Sequence, residues 1–197
     1  MLFMVVRQPV QALWRWSGPR AAPRAATSVV SGAGICFLLY YWGSTLAPIY
    51  GGTITGVRTF DVTARNHVQG HVQYHQSPPV AGPHAPVFQN CGFYSRPITN
   101  EDGVHSMEHG AVWITYRPDL PPSQVAALRT LARKQSYVLV SPYPDLPSPV
   151  VASAWNRQLR LNSADDIRLD LFIRVFREGS QAPEHGGPCT GGAGTPE

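Results

Sequence analysis

The stretch "SVVSGAGICFLLYYWGSTLAPIY", Ser28 to Tyr50, contains no charged residue. No other feature limits the chain so strongly, because an uninterrupted apolar run of this length finds few homes in water. At the usual helical rise it reaches about 30 Å, the thickness of a bilayer's hydrocarbon core. Tyr40, Tyr41, Trp42 and Tyr50 gather toward its C-terminal end, where aromatic rings favour a membrane interface. Arg7, Arg15, Arg20 and Arg24 precede it and few basic residues follow it closely, which predicts a cytoplasmic N-terminus and an exported C-terminal part. A cleaved signal peptide is the rival reading. No small-x-small cleavage site is evident, and Ile35 before Cys36 does not suit a lipoprotein-type signal. The expectation is a cytoplasmic arm over 1–27, with "ALWRWSG" on the membrane surface, followed by an uncleaved signal anchor over 28–50. The protein is then single-pass in the cell membrane.

That topology gives the cysteines meaning. Cys36 lies inside the span and reads as a small apolar filler. Cys91 and Cys189 fall in the exported part, where a pair of cysteines normally bridges. Their disulfide would pin the glycine-rich tail back to the loop around "NCGFY". Cys91 as a soft metal ligand is the alternative. The net charge of +4 is modest, and no Lys/Arg stripe with interleaved aromatics occurs, so nucleic acid is not an expected partner.

Beyond the span, 51–66 reads as a linker containing a short strand, 67–178 as an extracytoplasmic domain and 179–197 as a Gly/Pro-rich tail. Residues 67–110 are rich in loops and carry six of the seven histidines. From Ala111 the pattern becomes regular. In "AVWITYR", Val112, Ile114 and Tyr116 alternate with Ala111, Trp113 and Thr115, as in a strand. "PPSQVAALRTLARK" places Val125, Leu128, Leu131 and Ala132 on one helical face. "SYVLVSPYP" reads as a second strand and "VVASAWNRQLRL" as a third, longer one. "NSADDIRLDLFIRVFREG" reads as a second helix, with a capping-box pattern at Ser163 and Asp166 and a stripe of Leu169, Phe172, Ile173 and Phe176. Gly179 can end it. The fold class expected is α+β: a small, mostly antiparallel sheet with two helices on one face and the histidine-rich loops around its edge.

The segment "GVHSMEHGAV" carries the most chemistry. Residues four apart on a helix lie about 5–6 Å apart at Cβ, so His105 and His109 can meet on one ion only if a helical turn forms there. In a strand the same spacing gives roughly 13 Å. Gly103 and Gly110 bracket the segment, as if to start and stop such a turn. His67, His71 and His75 repeat the spacing in "HVQGHVQYH", and His84 sits in "SPPVAGPHAP", where prolines restrain the backbone. A hydrogen-bonding histidine cluster without metal is the structural alternative. Imidazoles suit zinc, copper, iron and nickel, and Met107 adds a thioether that favours copper over zinc. Met107 packed in the core beside Trp113 is the competing reading.

"HSMEH" also fits H-x-x-E-H, in which Glu108 would be the general base of a zinc hydrolase. That motif belongs on a long helix, whereas Gly110 and a strand follow at once. No G-x-S-x-G elbow, phosphate loop or dinucleotide fingerprint is present, and the absence of C-x-x-C-H excludes covalent c-type haem.

"HVQGHVQYHQSPPVAGPH", "NCGFY" and "VHSMEHGAVWITYRPDL" together resemble, in order, the hallmark segments of the bacterial domain-of-unknown-function 3105 family, over about residues 60–178. The resemblance implies an exported or membrane-anchored protein whose recurrent polar positions map to His67, His84, His105, Glu108 and His109. His71 and His75 are peculiar to this chain. No activity follows from the resemblance. The expected function is a membrane-tethered metal-binding protein that stores, delivers or buffers the ion, copper first and zinc second. Its proposed ligands are His84, His105 and His109, completed by His67 or Met107. An accessory subunit of a larger membrane complex is the alternative, and a Glu108-based hydrolase the third.

Overall fold

A strand sends alternate side chains to opposite faces, so Val112, Ile114 and Tyr116 must meet one layer and Trp113 and Thr115 another. The computed structural model, which describes residues 49–50 and 53–197, builds its main sheet around that strand. In chain order the elements are β1 (Ile49–Tyr50), β2 (Thr53–Ile54), β3 (Val57–Thr59), β4 (Gly92–Phe93), α1 (Asn100–Glu108), β5 (Val112–Tyr116), α2 (Pro122–Lys134), β6 (Val138–Pro142), β7 (Val150–Ala154), β8 (Arg157–Leu161) and α3 (Ile167–Phe176). β1 and β2 form a two-stranded antiparallel sheet. The other six strands form one sheet in the order β3-β8-β7-β5-β6-β4.

The class is α+β and the sheet is mostly antiparallel, but it is mixed. β3, β8, β7 and β5 pair antiparallel, whereas β6 runs parallel to both β5 and β4. Parallel neighbours need a long crossover, and α2 supplies it between β5 and β6. "VVASAWNRQLRL" is a hairpin rather than one strand, since β7 and β8 pair from Val150↔Leu161 to Ala154↔Arg157. Asn156 makes the reversal possible at φ 59°, a left-handed conformation that asparagine tolerates. Its side chain exchanges two 3.1 Å hydrogen bonds with the backbone of Val62, which ties the segment before His67 to the sheet.

The two faces carry two apolar clusters. Val112, Ile114, Val138, Val140, Ala152 and Leu159 pack with Leu128 and Ala132 of α2 and Leu169, Phe172 and Ile173 of α3. The helical stripes are those the periodicity predicts, with Val125, Leu131 and Phe176 partly buried at the margin. Trp113 and Leu139 point the other way and pack with Val104 and Met107 of α1. The two expected helices do share one face, and the structure adds a third described helix, α1, which covers the opposite face. The second helix also starts later than expected. Asp166 is its N-cap, accepting from the Arg168 backbone N–H at 2.9 Å, while Ser163 accepts from Asp165 instead. At the other end Arg177 turns out of the helix before Gly179 is reached, because its ψ of 124° is extended.

The arm over 1–27 and the span over 28–50 lie outside the described residues, apart from the backbone of Ile49 and Tyr50 in β1. Among the described residues no helix is long and apolar enough to cross a membrane.

Candidate metal centre

The centre is built on α1, whose sequence "NEDGVHSME" has no apolar stripe beyond Val104 and Met107. Glu101 and Asp102 in its first turn complement the positive end of the helix dipole. Its end is chemically explicit: Ala111 N–H bonds Ser106 O at 2.9 Å, Gly110 N–H bonds Met107 O at 3.1 Å, and Gly110 takes φ 103°. This is a Schellman termination, in which glycine meets no Cβ penalty. Gly103 does not start the helix, as its bracketing position suggests, but lies inside it. A Cβ there would stand 2.8–3.0 Å from three ring atoms of Trp113, so only glycine lets the helix seat against the sheet.

That helix puts His105 and Glu108 on one side and His109 at its C-cap. Two other segments bring histidines to the same place. His67 and His84 form an isolated parallel bridge, with Val68 N–H donating to His84 O at 2.8 Å and His84 N–H to Asn66 O at 3.2 Å. Ring centroids of His67, His84 and His105 are 4.8–5.0 Å apart, and those of His105 and His109 are 4.6 Å apart. One ligand atom each from His67, His84, His105 and Glu108 lie within 4.8 Å of one another. His84, His105 and Glu108 are buried, and His67 faces solvent.

The hydrogen bonds fix which nitrogen of each ring faces the centre. His84 Nδ1 lies 2.8 Å from Gly82 O, His105 Nδ1 2.7 Å from Ala85 O, and His109 Nδ1 2.7 Å from Pro188 O. A carbonyl only accepts, so each Nδ1 carries a proton and Nε2 is the nitrogen that each ring turns toward the centre. His84 Nε2 is 2.8 Å from Glu108 Oε2, and the buried nitrogen still has no aligned hydrogen-bond partner. Two bare lone pairs would not approach so closely, so the pair is held either by a proton on one of the two groups or by a cation between them. His105 Nε2 similarly sits 3.1 Å from His109 Nε2. Burial pushes the His105 pKa down to about 4; the bond to Ala85 opposes the shift, and His109, His84 and His67 add to it. His105 is therefore neutral at ordinary pH.

Metal geometry fits these separations. With bonds of about 2.0–2.1 Å, two donors on one ion stand roughly 2.9 Å apart at a right angle and roughly 3.4 Å apart in a tetrahedron. The 2.8 Å and 3.1 Å pairs already match. The 4.8 Å limit of the four-residue group asks for a contraction of about 1.4 Å to reach tetrahedral spacing. Exposed His67 is the member free to make it. The backbone carbonyls behind the rings are the orienting partners that metal-bound histidines usually have.

Other predicted residues sit elsewhere. Met107 is fully buried among Val104, Trp113 and Leu139. Two positions along a helix turn it by about 200°, which sends Met107 away from His105. His71 pairs with Glu101 at 3.2 Å, and His75 is exposed. Cys91 is bonded to Cys189, so its thiolate is not a ligand. Two neighbours were not foreseen. Glu184, from the tail, places Oε2 3.6 Å from His109 Nε2, and the Phe88 ring lies 4.9 Å from His109 and 5.8 Å from His105. No spacing signal in the sequence points to either.

The class thus defined is a disulfide-stapled α+β domain with a largely buried histidine–glutamate centre between one helix and two loop segments. The chain belongs to DUF3105, a family of proteins of unknown function, which it matches over residues 67–191. The match takes in all the donors and both bridged cysteines. Comparison with curated proteins and with solved structures gives no match.

Proposed function

We propose that this protein holds a divalent first-row transition-metal ion and stores, delivers or buffers it outside the cytoplasm, tethered to the membrane by residues 28–50. One observation carries the reading. Buried, carbonyl-oriented imidazoles turn their Nε2 atoms toward one another and toward Glu108, with His84 Nε2 2.8 Å from Glu108 Oε2 but without an aligned hydrogen bond. His84, His105 and Glu108 form the inner donors, with His67 and His109 beside them. A nitrogen-rich set with one carboxylate suits zinc or copper(II). Copper loses the particular support of a thioether, since Met107 belongs to the apolar cluster. The exposed donor His67 favours exchange of the ion over permanent enclosure. Glu108 acts in this reading as a ligand rather than as the general base of a hydrolase. The Cys91–Cys189 bridge supports an oxidising compartment.

The test is elemental analysis of the untagged full chain, followed by zinc and copper titration against His84→Ala/His105→Ala. The expected result is one ion per chain, lost in the double variant. Equal binding by the two proteins would refute the proposal.

A further inference from the structure

The bridged cysteines adjoin an open groove lined also by Gly92, Arg133, Lys134 and Tyr137. Cys91 is partly exposed and, with Cys189, lines that groove. Arg133 and Lys134 give the groove positive charge, which draws and stabilises thiolate. The far side of the same bridge governs the metal centre. Pro188, the residue before Cys189, supplies the carbonyl that accepts from His109 Nδ1–H at 2.7 Å. Gly187 lies so close to the imidazole that a Cβ would stand 2.8 Å from His109 Cγ, and its carbonyl accepts from Tyr137 OH at 2.8 Å. Glu184 N–H donates to Glu108 O at 3.0 Å, and Cys91 N–H to Cys189 O at 2.8 Å. Residues 184–189 are thus strung across the end of α1, with the disulfide as the covalent anchor at one end.

From this geometry we infer that Cys91–Cys189 is a thiol–disulfide exchange site for a dithiol reductant, and that its reduction loosens the donors of the metal centre. The second half rests on the metal-binding reading proposed above. In the first step a thiolate of the dithiol attacks Cys91 Sγ. A bond forms between those sulfurs, the Cys91–Cys189 bond breaks, and its electron pair leaves on Cys189 Sγ, which takes a proton from water. The second thiol of the reductant then attacks its own partner sulfur and releases Cys91 as thiol. The dithiol is oxidised to a disulfide by two electrons, and this chain gains two thiols. Once the anchor is open, the Pro188 carbonyl no longer fixes the tautomer and orientation of His109. Orienting partners of this kind affect metal affinity by about 10–100-fold.

The experiment loads the full chain with zinc and measures the rate of its transfer to a chelator, before and after native incubation with dithiothreitol. Alkylation counts the thiols and circular dichroism follows the fold. The expected result is two new thiols, an unchanged far-ultraviolet spectrum and release faster by about tenfold or more. His109→Ala should release quickly in both redox states, and Cys91→Ser/Cys189→Ser should behave as the reduced protein. A bridge that resists dithiothreitol until the chain unfolds overturns the exchange site. Two new thiols with unchanged zinc release overturn the coupling. Absence of zinc from the oxidised wild type would overturn the metal reading and the coupling together, while the thiol count would still decide the exchange site.

Discussion

Replacing Gly103 by alanine sets two contributions against each other, and the structure decides which is larger. Gly103 lies inside α1, where alanine is intrinsically better by about 0.8–1.0 kcal/mol. The added methyl, however, would stand 2.8, 2.9 and 3.0 Å from ring atoms of Trp113. That indole cannot tilt away freely, since it is fully buried and its Nε1 donates to Ser141 Oγ at 3.1 Å. Overpacking of this kind typically costs about 1–3 kcal/mol, and the fixed ring argues for the upper half of that range. The net expectation is a loss of about 1–2 kcal/mol, or a Tm lower by roughly 2–8 °C for a chain of this size. The relief available is for α1 to lift from the sheet, which would move His105 away from His84 and weaken metal binding as well. Thermal unfolding followed by circular dichroism, with a parallel zinc titration, reads both effects. An unchanged or raised Tm would show that helix propensity outweighs the close approach and would refute the reasoning.

Two further predictions concern charge. The His105 pKa is 6.5 when unperturbed and about 4 in the fold, so the unfolded chain binds more protons between those values. Its stabilising contribution to the metal-free protein is thus present above about pH 6.5 and lost as pH falls toward 4, by up to about 3 kcal/mol. Urea midpoints that stay flat from neutral pH down to 4 would contradict this assignment. Glu108→Gln removes the only carboxylate of the four-donor group and should weaken zinc binding by at least about tenfold. His71→Ala, whose partner is Glu101, should bind zinc as the parent does. Equal affinity in Glu108→Gln, or lost affinity in His71→Ala, would mean that the donors are misassigned.

The parts of the fold legible in the sequence are those with strong periodicity. Val112 to Tyr116 alternates, and α2 and α3 each carry an apolar stripe, so those elements and the packed side of the sheet follow from pattern alone. α1 was legible only as a required turn. It has a glycine at its middle and too few apolar residues for a stripe, and tertiary packing on Trp113 rather than propensity makes it a helix. The β7–β8 hairpin escaped because its reversal uses Trp155 and Asn156 without glycine or proline, leaving an unbroken strand-like run. At the centre, the four-residue spacing of His105 and His109 carried real geometric content. His67 and His84 arrive through a bridge between distant segments, which no local pattern encodes. Met107 shows the opposite hazard: neighbours in sequence on a helix can face opposite ways. Glu184 reaches His109 only because the tail folds back, with its covalent anchor at Cys189, and that contact is invisible until both ends of the loop are placed.

X-ray absorption at the metal edge of the full chain loaded with one equivalent of zinc tests the central claim most directly, because it reads the identity of the donors. The account predicts a first shell of nitrogen and oxygen at about 2.0–2.1 Å with imidazole outer-shell scattering and no sulfur. A sulfur scatterer near 2.3 Å, the distance of a zinc–thiolate bond, or a shell of oxygen without imidazole features, would contradict it.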